Sequence, residues 1–227
     1  MMDKRVILFQ GDSITDASRN RTVERKNCSL GDGYVTMLAG QLSYEYPGIE
    51  IINKGVSGNR IADTYGRWQE DALNIKYDLL SILIGINDVG FGIRMGKGSD
   101  PERFEYIYDR MLFEATEKNP EGKIVLCQPF VLKMDLSSHV PFAEFCNDIY
   151  ADWNVWSSDM ERRAEVVIKL SEKYHTMYAP LWDSLREAQK RIPVENLTFD
   201  CVHLTATGNY VIAQEWKRVT KPFFERN

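Results

Sequence analysis

The stretch that decides the fold is residues 4–13, which read Lys-Arg-Val-Ile-Leu-Phe-Gln-Gly-Asp-Ser. Four consecutive apolar residues follow two basic ones, and a glycine, an aspartate and a serine come soon after. A short apolar run that ends in turn residues is typical of a strand buried on both faces. We therefore predict a first strand over Lys4–Phe9, with Ser13 on the turn that follows its carboxyl end.

Comparable apolar runs recur along the chain and alternate with helical patterns. Further strands are predicted at Ile49–Asn53, Leu79–Ile84, Lys123–Cys127 and Thr176–Ala179. Helices are predicted around Tyr34–Tyr46, over Ile61–Leu73 and Pro101–Glu117, within Asn147–Tyr174, from Pro180, and from Thr205 to about Lys217. This alternation predicts an α/β fold, with a parallel sheet covered by helices on both faces.

Length and composition indicate a single globular domain over residues 1–227. Hydrophobic residues make up 44% of the chain and charged residues 27%, an ordinary balance for a soluble protein. No run of apolar residues is long enough for a transmembrane helix. The net charge is −5 and no long basic run occurs, which disfavours nucleic acid or anionic membrane as a partner.

The N-terminus and the cysteines both favour a cytoplasmic location. The apolar run Val6–Phe9 is too short to be the core of a signal peptide. The cysteines at 28, 127, 146 and 201 are widely spaced and form no CxxC pair, so neither a zinc site nor a disulfide framework is expected. No metal and no cofactor are predicted.

Polar and glycine-rich clusters follow three of the predicted strands. They are residues 11–13 (Gly-Asp-Ser), 55–59 (Gly-Val-Ser-Gly-Asn) and 85–88 (Gly-Ile-Asn-Asp). Ligands of open parallel sheets bind outside the carboxyl ends of the strands. One cleft should therefore gather these clusters.

Acyl transfer by a serine needs a neighbouring base and a group that orients the base. Ser13 alone would more often be a turn or helix-cap residue. His139 lies in a polar loop and His175 follows a charged helix end, whereas His203 has Asp200 three residues upstream. Asp200 could bind one ring nitrogen of His203 while the other faces Ser13, although the pair could also merely cap the final helix.

Acyl transfer also needs hydrogen-bond donors for the developing oxyanion. Gly58 lets the backbone approach a ligand closely, so its N–H could point at the oxyanion. Asn87 offers a side-chain amide at the end of the most apolar predicted strand. The N–H of Ser13 would be the third donor. For Gly58 and Asn87 alike, an ordinary turn position is the alternative.

Four stretches resemble the sequence blocks of the SGNH (GDSL) hydrolases, in the order that this family has. Residues 10–16 resemble block I with its serine, 53–60 block II with its glycine, 84–88 block III with its asparagine, and 200–203 block V with its aspartate and histidine. The resemblance implies a flavodoxin-like three-layer α/β/α fold with a five-stranded parallel sheet in the order 2-1-3-4-5. It also implies a catalytic triad of Ser13, Asp200 and His203, and an oxyanion hole formed by Ser13, Gly58 and Asn87.

Within this family the chain is most similar to bacterial intracellular acetylxylan esterases and related carbohydrate acetylesterases. The shared elements are Gly33-Tyr34, Gly58-Asn59 and the pair Arg67-Trp68 shortly before an acidic residue. The similarity implies a serine acetylesterase that acts on O-acetylated carbohydrates such as xylo-oligosaccharides. A lysophospholipase or acyl-thioesterase is the alternative enzyme, and a catalytically silent binding protein is a third hypothesis. Relatives often assemble, so a homo-oligomer is left open.

The chain departs from the family pattern at two places. Leu204 follows the histidine where relatives usually have proline. After Asn87 the chain is rich in glycine from Gly90 to Gly98, and we predict a loop there that shapes the acyl or leaving-group pocket. Trp153 and Trp156 could form a platform for a sugar, but their spacing is more typical of a core stripe.

Overall fold

The computed structural model of the chain describes residues 4–22, 27–134 and 143–225. Five strands form one parallel sheet in the order β2-β1-β3-β4-β5. They are β1 (Val6–Gly11), β2 (Glu50–Asn53), β3 (Leu79–Leu83), β4 (Lys123–Cys127) and β5 (Met177–Ala179). The predicted fold class and strand order are confirmed, and each predicted strand is present with ends shifted by up to two residues.

Helices connect the strands and cover the sheet. They are α1 (Ser13–Asp16), α2 (Tyr34–Glu45), α3 (Ile61–Gly66), α4 (Ile86–Met95), α5 (Pro101–Lys118), α6 (Ala143–Ala151), α7 (Trp153–Lys173), α8 (Leu181–Gln189) and α9 (Ala206–Glu225). A π-helical turn lies at Gln69–Leu73 and a 3-10 turn at Val194–Asn196.

Hydrophobic clusters lie on both faces of the sheet. Alternate residues of a strand point to opposite faces, so Ile7 and Phe9 join one cluster and Leu8 joins the other. Helices α2, α8 and α9 contribute to the first cluster, whereas α3 and α5 contribute to the second. Burial on both faces explains why β1 and β3 are mostly apolar, with Gln10 and Ser81 as their buried polar side chains.

Three helices differ from the prediction in their extent. The predicted helix Ile61–Leu73 divides into α3 and the π-helical turn, and the predicted helix within Asn147–Tyr174 divides at Asp152 into α6 and α7. Helix α9 continues past Lys217 to Glu225 and includes Pro222. This extension buries Phe224 on the same core as Trp216, and that packing offsets the cost of a proline inside the helix.

The prediction of a glycine-rich loop after Asn87 was wrong, because this segment forms most of α4. A Cβ atom on Gly90 would lie 3.1 Å from the ring of Trp156, so the missing side chain allows α4 to pack against α7. Trp156 is buried, as the core interpretation expected. Glycine lowers helix propensity by about 1 kcal/mol, and this helix–helix contact overrides that preference.

Two further observations concern the described part of the chain. None of its helices combines the length and the apolarity that a membrane span requires. The four cysteines all carry free thiols.

Candidate active site

Ser13 lies directly beyond the carboxyl end of β1, in the central part of the sheet. The carboxylate of Asp12 caps the one-turn helix α1 by accepting a hydrogen bond from the N–H of Ile14 at 3.0 Å. The turn ends at Ala17 and Ser18, which both adopt positive φ angles. This tight strand–turn connection presents the hydroxyl of Ser13 to a cleft.

A short loop before α9 carries Asp200 and His203. Oδ1 of Asp200 accepts hydrogen bonds from the backbone N–H groups of Val202 at 3.0 Å and His203 at 2.6 Å. The hydroxyl of Thr198 donates to the carbonyl of His203 at 2.7 Å. The loop is therefore fixed by its own hydrogen bonds, and the imidazole is held in one position.

Ser13, His203 and Asp200 form one continuous series of contacts. The Oγ of Ser13 lies 2.8 Å from Nε2 of His203, and Nδ1 of His203 lies 2.5 Å from Oδ2 of Asp200. The structure thus brings together Ser13 and His203, which are separated by 190 positions in the sequence. His175 lies instead in a groove at the amino ends of the strands, near Lys4 and Lys123, and His139 falls outside the described residues.

The surroundings of His203 favour its protonated form. Burial lowers the pKa of the imidazole, but the hydrogen bond and the charge of Asp200, with the charge of Asp12, outweigh this effect. The pKa of His203 is therefore raised above its ordinary value of 6.5. A raised pKa makes the neutral ring a stronger proton acceptor, which suits a general base.

Asp12 is a buried carboxyl group next to this series of contacts. Only 1% of its surface is exposed, and Oδ2 has no hydrogen-bond partner among the described residues. Burial raises the pKa of Asp12 to about 7, against the opposing effect of its bond to Ile14. In the sequence, Asp12 stood out only as a member of block I. A charged residue directly after a buried strand is itself a signal of a functional position.

The loop that carries Gly58 lies alongside α1. The N–H of Val56 donates to the carbonyl of Gly11 at 3.0 Å, and the N–H of Ser57 donates to the carboxylate of Asp16 at 2.8 Å. Gly58 has a φ of +80°, which L-residues with a side chain rarely adopt, although a Cβ atom there would meet nothing within 4 Å. The backbone conformation, not lack of space, therefore requires glycine at this position.

Asn87 is joined to the same loop. Its Nδ2 donates a hydrogen bond to the carbonyl of Asn59 at 3.0 Å. A side-chain amide has two N–H groups, so this bond holds one and leaves the other available to a ligand. This bond joins Asn87 to the Gly58 loop, although the two come from separate strand ends.

Asp88 strengthens the connection between these strand ends. Its buried carboxylate accepts hydrogen bonds from the N–H groups of Ile61 at 2.9 Å and Ser99 at 3.3 Å. Burial raises the pKa of Asp88 to about 6, against the opposing hydrogen bonds. One carboxylate therefore ties the start of α3 to the start of α4 and to the turn that follows α4.

A cavity of about 610 Å³ opens beside Ser13. Its lining combines polar groups such as Asp32 and Ser57 with the ring of Phe199. That ring lies nearly parallel to the imidazole of His203, with a centroid distance of 5.9 Å. Within the described ranges, no three His, Cys, Asp or Glu side chains are grouped as metal ligands would be. The cavity can admit a small ester next to the hydroxyl of Ser13.

A serine after β1, a histidine before the last helix, and a glycine and an asparagine after β2 and β3 are the arrangement expected of SGNH hydrolases. The sequence model of the GDSL-like lipase/acylhydrolase family matches residues 9–211. The chain belongs to the GDSL-like lipase/acylhydrolase family. The matched region of this GDSL family member contains Ser13, Gly58, Asn87, Asp200 and His203.

Individual relatives agree with this assignment. The chain is 31% identical to an acetylxylan esterase of Geobacillus stearothermophilus over 224 residues, covering 93% of this chain and 92% of the relative. Among solved structures, a GDSL-like lipase from Parabacteroides merdae is 32% identical, with a TM-score of 0.85 over 97% of this chain and 98% of the other. Axe2, an acetylxylan esterase from Geobacillus stearothermophilus, is 28% identical, with a TM-score of 0.79 over 96% and 95% of the two chains. This GDSL family member is a carboxylic ester hydrolase.

Proposed function

We propose that this protein removes acetyl groups from O-acetylated carbohydrates, such as acetylated xylo-oligosaccharides, through an acyl-enzyme formed on Ser13. The observation that carries the mechanism is the unbroken series Ser13 Oγ–His203 Nε2–Asp200 Oδ2, with separations of 2.8 and 2.5 Å. The choice of an acetylated carbohydrate rests on similarity to Axe2, which is described as an acetylxylan esterase and as an acetyl-xylooligosaccharide esterase.

Acylation begins when Oγ of Ser13 attacks the carbonyl carbon of the acetyl ester. Nε2 of His203 accepts the hydroxyl proton. Asp200 accepts a hydrogen bond from the N–H at Nδ1 and stabilises the imidazolium that forms. Nε2 then gives its proton to the oxygen of the departing sugar. The acetyl group remains on Ser13 as an ester.

The negative charge that develops on the carbonyl oxygen needs donors that are already in place. In our proposal these are the backbone N–H of Ser13, the backbone N–H of Gly58 and the second N–H of the Asn87 amide. The positive φ of Gly58 and the bond from Asn87 to Asn59 support this assignment, because they fix the orientation of two donors before substrate binds.

Deacylation repeats the chemistry with water as the nucleophile. His203 takes a proton from the water as the water oxygen attacks the acetyl carbon. The tetrahedral intermediate collapses, Ser13 recovers its proton from His203, and acetate leaves. The reaction requires His203 to be neutral, so activity should rise with pH through the raised pKa of His203.

Acetate release from a panel of acetylated xylo-, manno- and other oligosaccharides tests the proposal. Ser13→Ala should lower turnover by about 10⁶-fold, as loss of a triad nucleophile does in other serine hydrolases. Ser57→Ala is the matched control, because this exposed serine lines the same cavity and binds Asp16 only through its backbone N–H. Full activity of Ser13→Ala would overturn the mechanism.

A series of p-nitrophenyl esters of increasing chain length separates the proposed acetylesterase from a lysophospholipase or acyl-thioesterase. A sharp loss of kcat/KM beyond acetate is expected for the acetylesterase. Equal or higher activity on long acyl chains would favour the alternative enzymes. No labelling of Ser13 by a serine-reactive organophosphate would instead point to a silent binding protein.

A further inference from the structure

Arg67 lies at the end of α3, in the Arg-Trp pair that the sequence singled out. Its side chain is only 17% exposed, and the adjacent Trp68 is 1% exposed. The acetylesterase chemistry proposed above makes no use of either residue. A largely buried guanidinium needs many hydrogen-bond acceptors, so its partners show what this arginine does.

The guanidinium donates to five oxygens from separate segments around the carboxyl ends of β1 and β2. They are Oδ1 of Asn59 at 2.7 Å, the carbonyl of Lys54 at 2.8 Å, Oε1 of Gln10 at 2.9 Å, Oδ2 of Asp71 at 2.9 Å and the carbonyl of Gly11 at 3.2 Å. Gln10 is itself fully buried, and its amide nitrogen donates to the carbonyl of Asp71 at 2.5 Å. The acceptors are therefore fixed in orientation.

Only arginine can make this set of bonds. The planar guanidinium presents donors in a rigid fork, whereas lysine presents one compact ammonium group at the end of a flexible chain. The negative charge of Asp71 offsets the positive charge of Arg67. Nζ of Lys54 also lies 3.6 Å from Oδ1 of Asp71. The arrangement is thus a connection between strand ends rather than a free cation for a ligand.

One of these bonds leads directly to the proposed oxyanion hole. Arg67 holds the side chain of Asn59, which immediately follows Gly58, and the carbonyl of Asn59 accepts the hydrogen bond from Asn87. Through the carbonyl of Gly11, Arg67 also reaches the strand end two residues before Ser13. A single guanidinium therefore contacts the segments that carry all three proposed oxyanion donors, directly or through Asn59.

We propose that Arg67 is a positioning residue for ester hydrolysis, which holds Asn59 and, through it, the Asn87 amide in the geometry that the developing oxyanion needs. The inference rests on the proposed mechanism and extends it to a residue that does not touch substrate. Misplacement of a donor by about 1 Å can cost about 10²-fold in rate. Loss of Arg67 should therefore affect turnover more than substrate binding.

The first test compares wild type with Arg67→Lys in hydrolysis of p-nitrophenyl acetate. We expect kcat to fall by about 10- to 100-fold while KM stays within about twofold. Inhibition by methylboronic acid, which forms a tetrahedral adduct with a serine hydroxyl, should weaken by a similar factor. The pH at which kcat/KM is half-maximal should not move, because Arg67 does not contact His203 or Asp200.

The matched control is Arg5→Lys. Arg5 donates to the carbonyls of Phe223 and Phe224 and lines the groove at the opposite end of the sheet. Its replacement should lower thermal stability but leave kcat within about twofold of wild type. A general loss of stability is thereby distinguished from a loss of donor geometry.

The second test asks whether Arg67 acts through Asn59. Asn59→Ala removes the acceptor and should lower kcat about as much as Arg67→Lys does, whereas Asn59→Asp keeps an acceptor and should retain most activity. The double variant Arg67→Lys/Asn59→Ala should be little worse than either single variant, because both remove the same interaction.

The proposal is overturned if Arg67→Lys keeps kcat within about twofold of wild type, if only KM changes, or if the two losses multiply fully in the double variant. Failure of the proposed mechanism would give a different result, because Ser13→Ala would then still hydrolyse p-nitrophenyl acetate. The result is also independent of the sugar, since no carbohydrate is used.

Discussion

Asp12 provides a quantitative test of the electrostatics of the site. We predict that Asp12→Asn raises the free energy of unfolding more at pH 8 than at pH 5. Burial raises the pKa of this carboxyl from 3.8 to about 7. Because the folded protein then holds the proton more tightly than the unfolded chain, Asp12 contributes stability below pH 3.8 that is lost as pH rises through 7.

The magnitude follows from 1.36 kcal/mol for each pKa unit. Relative to a permanently neutral side chain, the carboxyl costs about 2 kcal/mol of stability at pH 5 and about 4 kcal/mol at pH 8. Asparagine does not ionise, and its oxygen can still accept the hydrogen bond from Ile14. The difference in free energy of unfolding between Asp12→Asn and wild type should therefore grow by about 2–3 kcal/mol between these pH values, in favour of Asp12→Asn.

Urea unfolding followed by circular dichroism at pH 5, 6, 7 and 8 measures this change. Asp100→Asn is the control, since Asp100 caps α5 in the same way by binding the N–H of Arg103 at 2.8 Å but is exposed. That hydrogen bond lowers the pKa of Asp100. Its variant should therefore show no growing advantage above pH 5. The prediction would be refuted if the difference in free energy of unfolding between Asp12→Asn and wild type stayed constant from pH 5 to 8.

Three other substitutions test separate parts of the structure. Asn87→Ala should lower kcat for p-nitrophenyl acetate by about 10²–10³-fold in steady-state assays; near-normal turnover would remove Asn87 from the oxyanion hole. Asp200→Asn should lower kcat by about 10⁴-fold. It should also move the acid limb of the kcat/KM profile to lower pH, because Asp200 raises the pKa of His203; an unmoved limb would contradict this. Ser81→Ala removes the acceptor 2.9 Å from the buried indole N–H of Trp216 and should cost about 1–3 kcal/mol in urea unfolding with kcat unchanged; wild-type stability would contradict the value of that bond.

The sheet was predictable because β1, β3 and β4 are almost fully buried and consist mostly of apolar residues. The three-residue edge strand β5 also lies within its predicted segment, which Pro180 follows directly. Helix α4 was not predictable from local preference. Its glycines disfavour a helix, and the contact that compensates comes from Trp156, which lies far away in the sequence.

The proposed site shows the same division. The proximity of Ser13, Asp200 and His203 could be expected because their motifs lie at a strand end and at the start of the final helix. The bonds of Arg67 could not, because two of its five acceptors are backbone carbonyls, which leave no trace in residue identity. The sequence therefore indicated the residues that we propose to contact the substrate better than the residues that position them.

The identity of the nucleophile is tested most directly by locating the acetyl group on the enzyme. Wild-type protein mixed with p-nitrophenyl acetate and quenched in acid within the first turnover can be digested and analysed by peptide mass spectrometry. We predict that the acetyl group is found on Ser13 and that Ser13→Ala carries none, whereas Ser57→Ala is acetylated on Ser13 like wild type. Acetylation at another residue, or hydrolysis that proceeds without an acetylated enzyme in Ser13→Ala, would contradict the account.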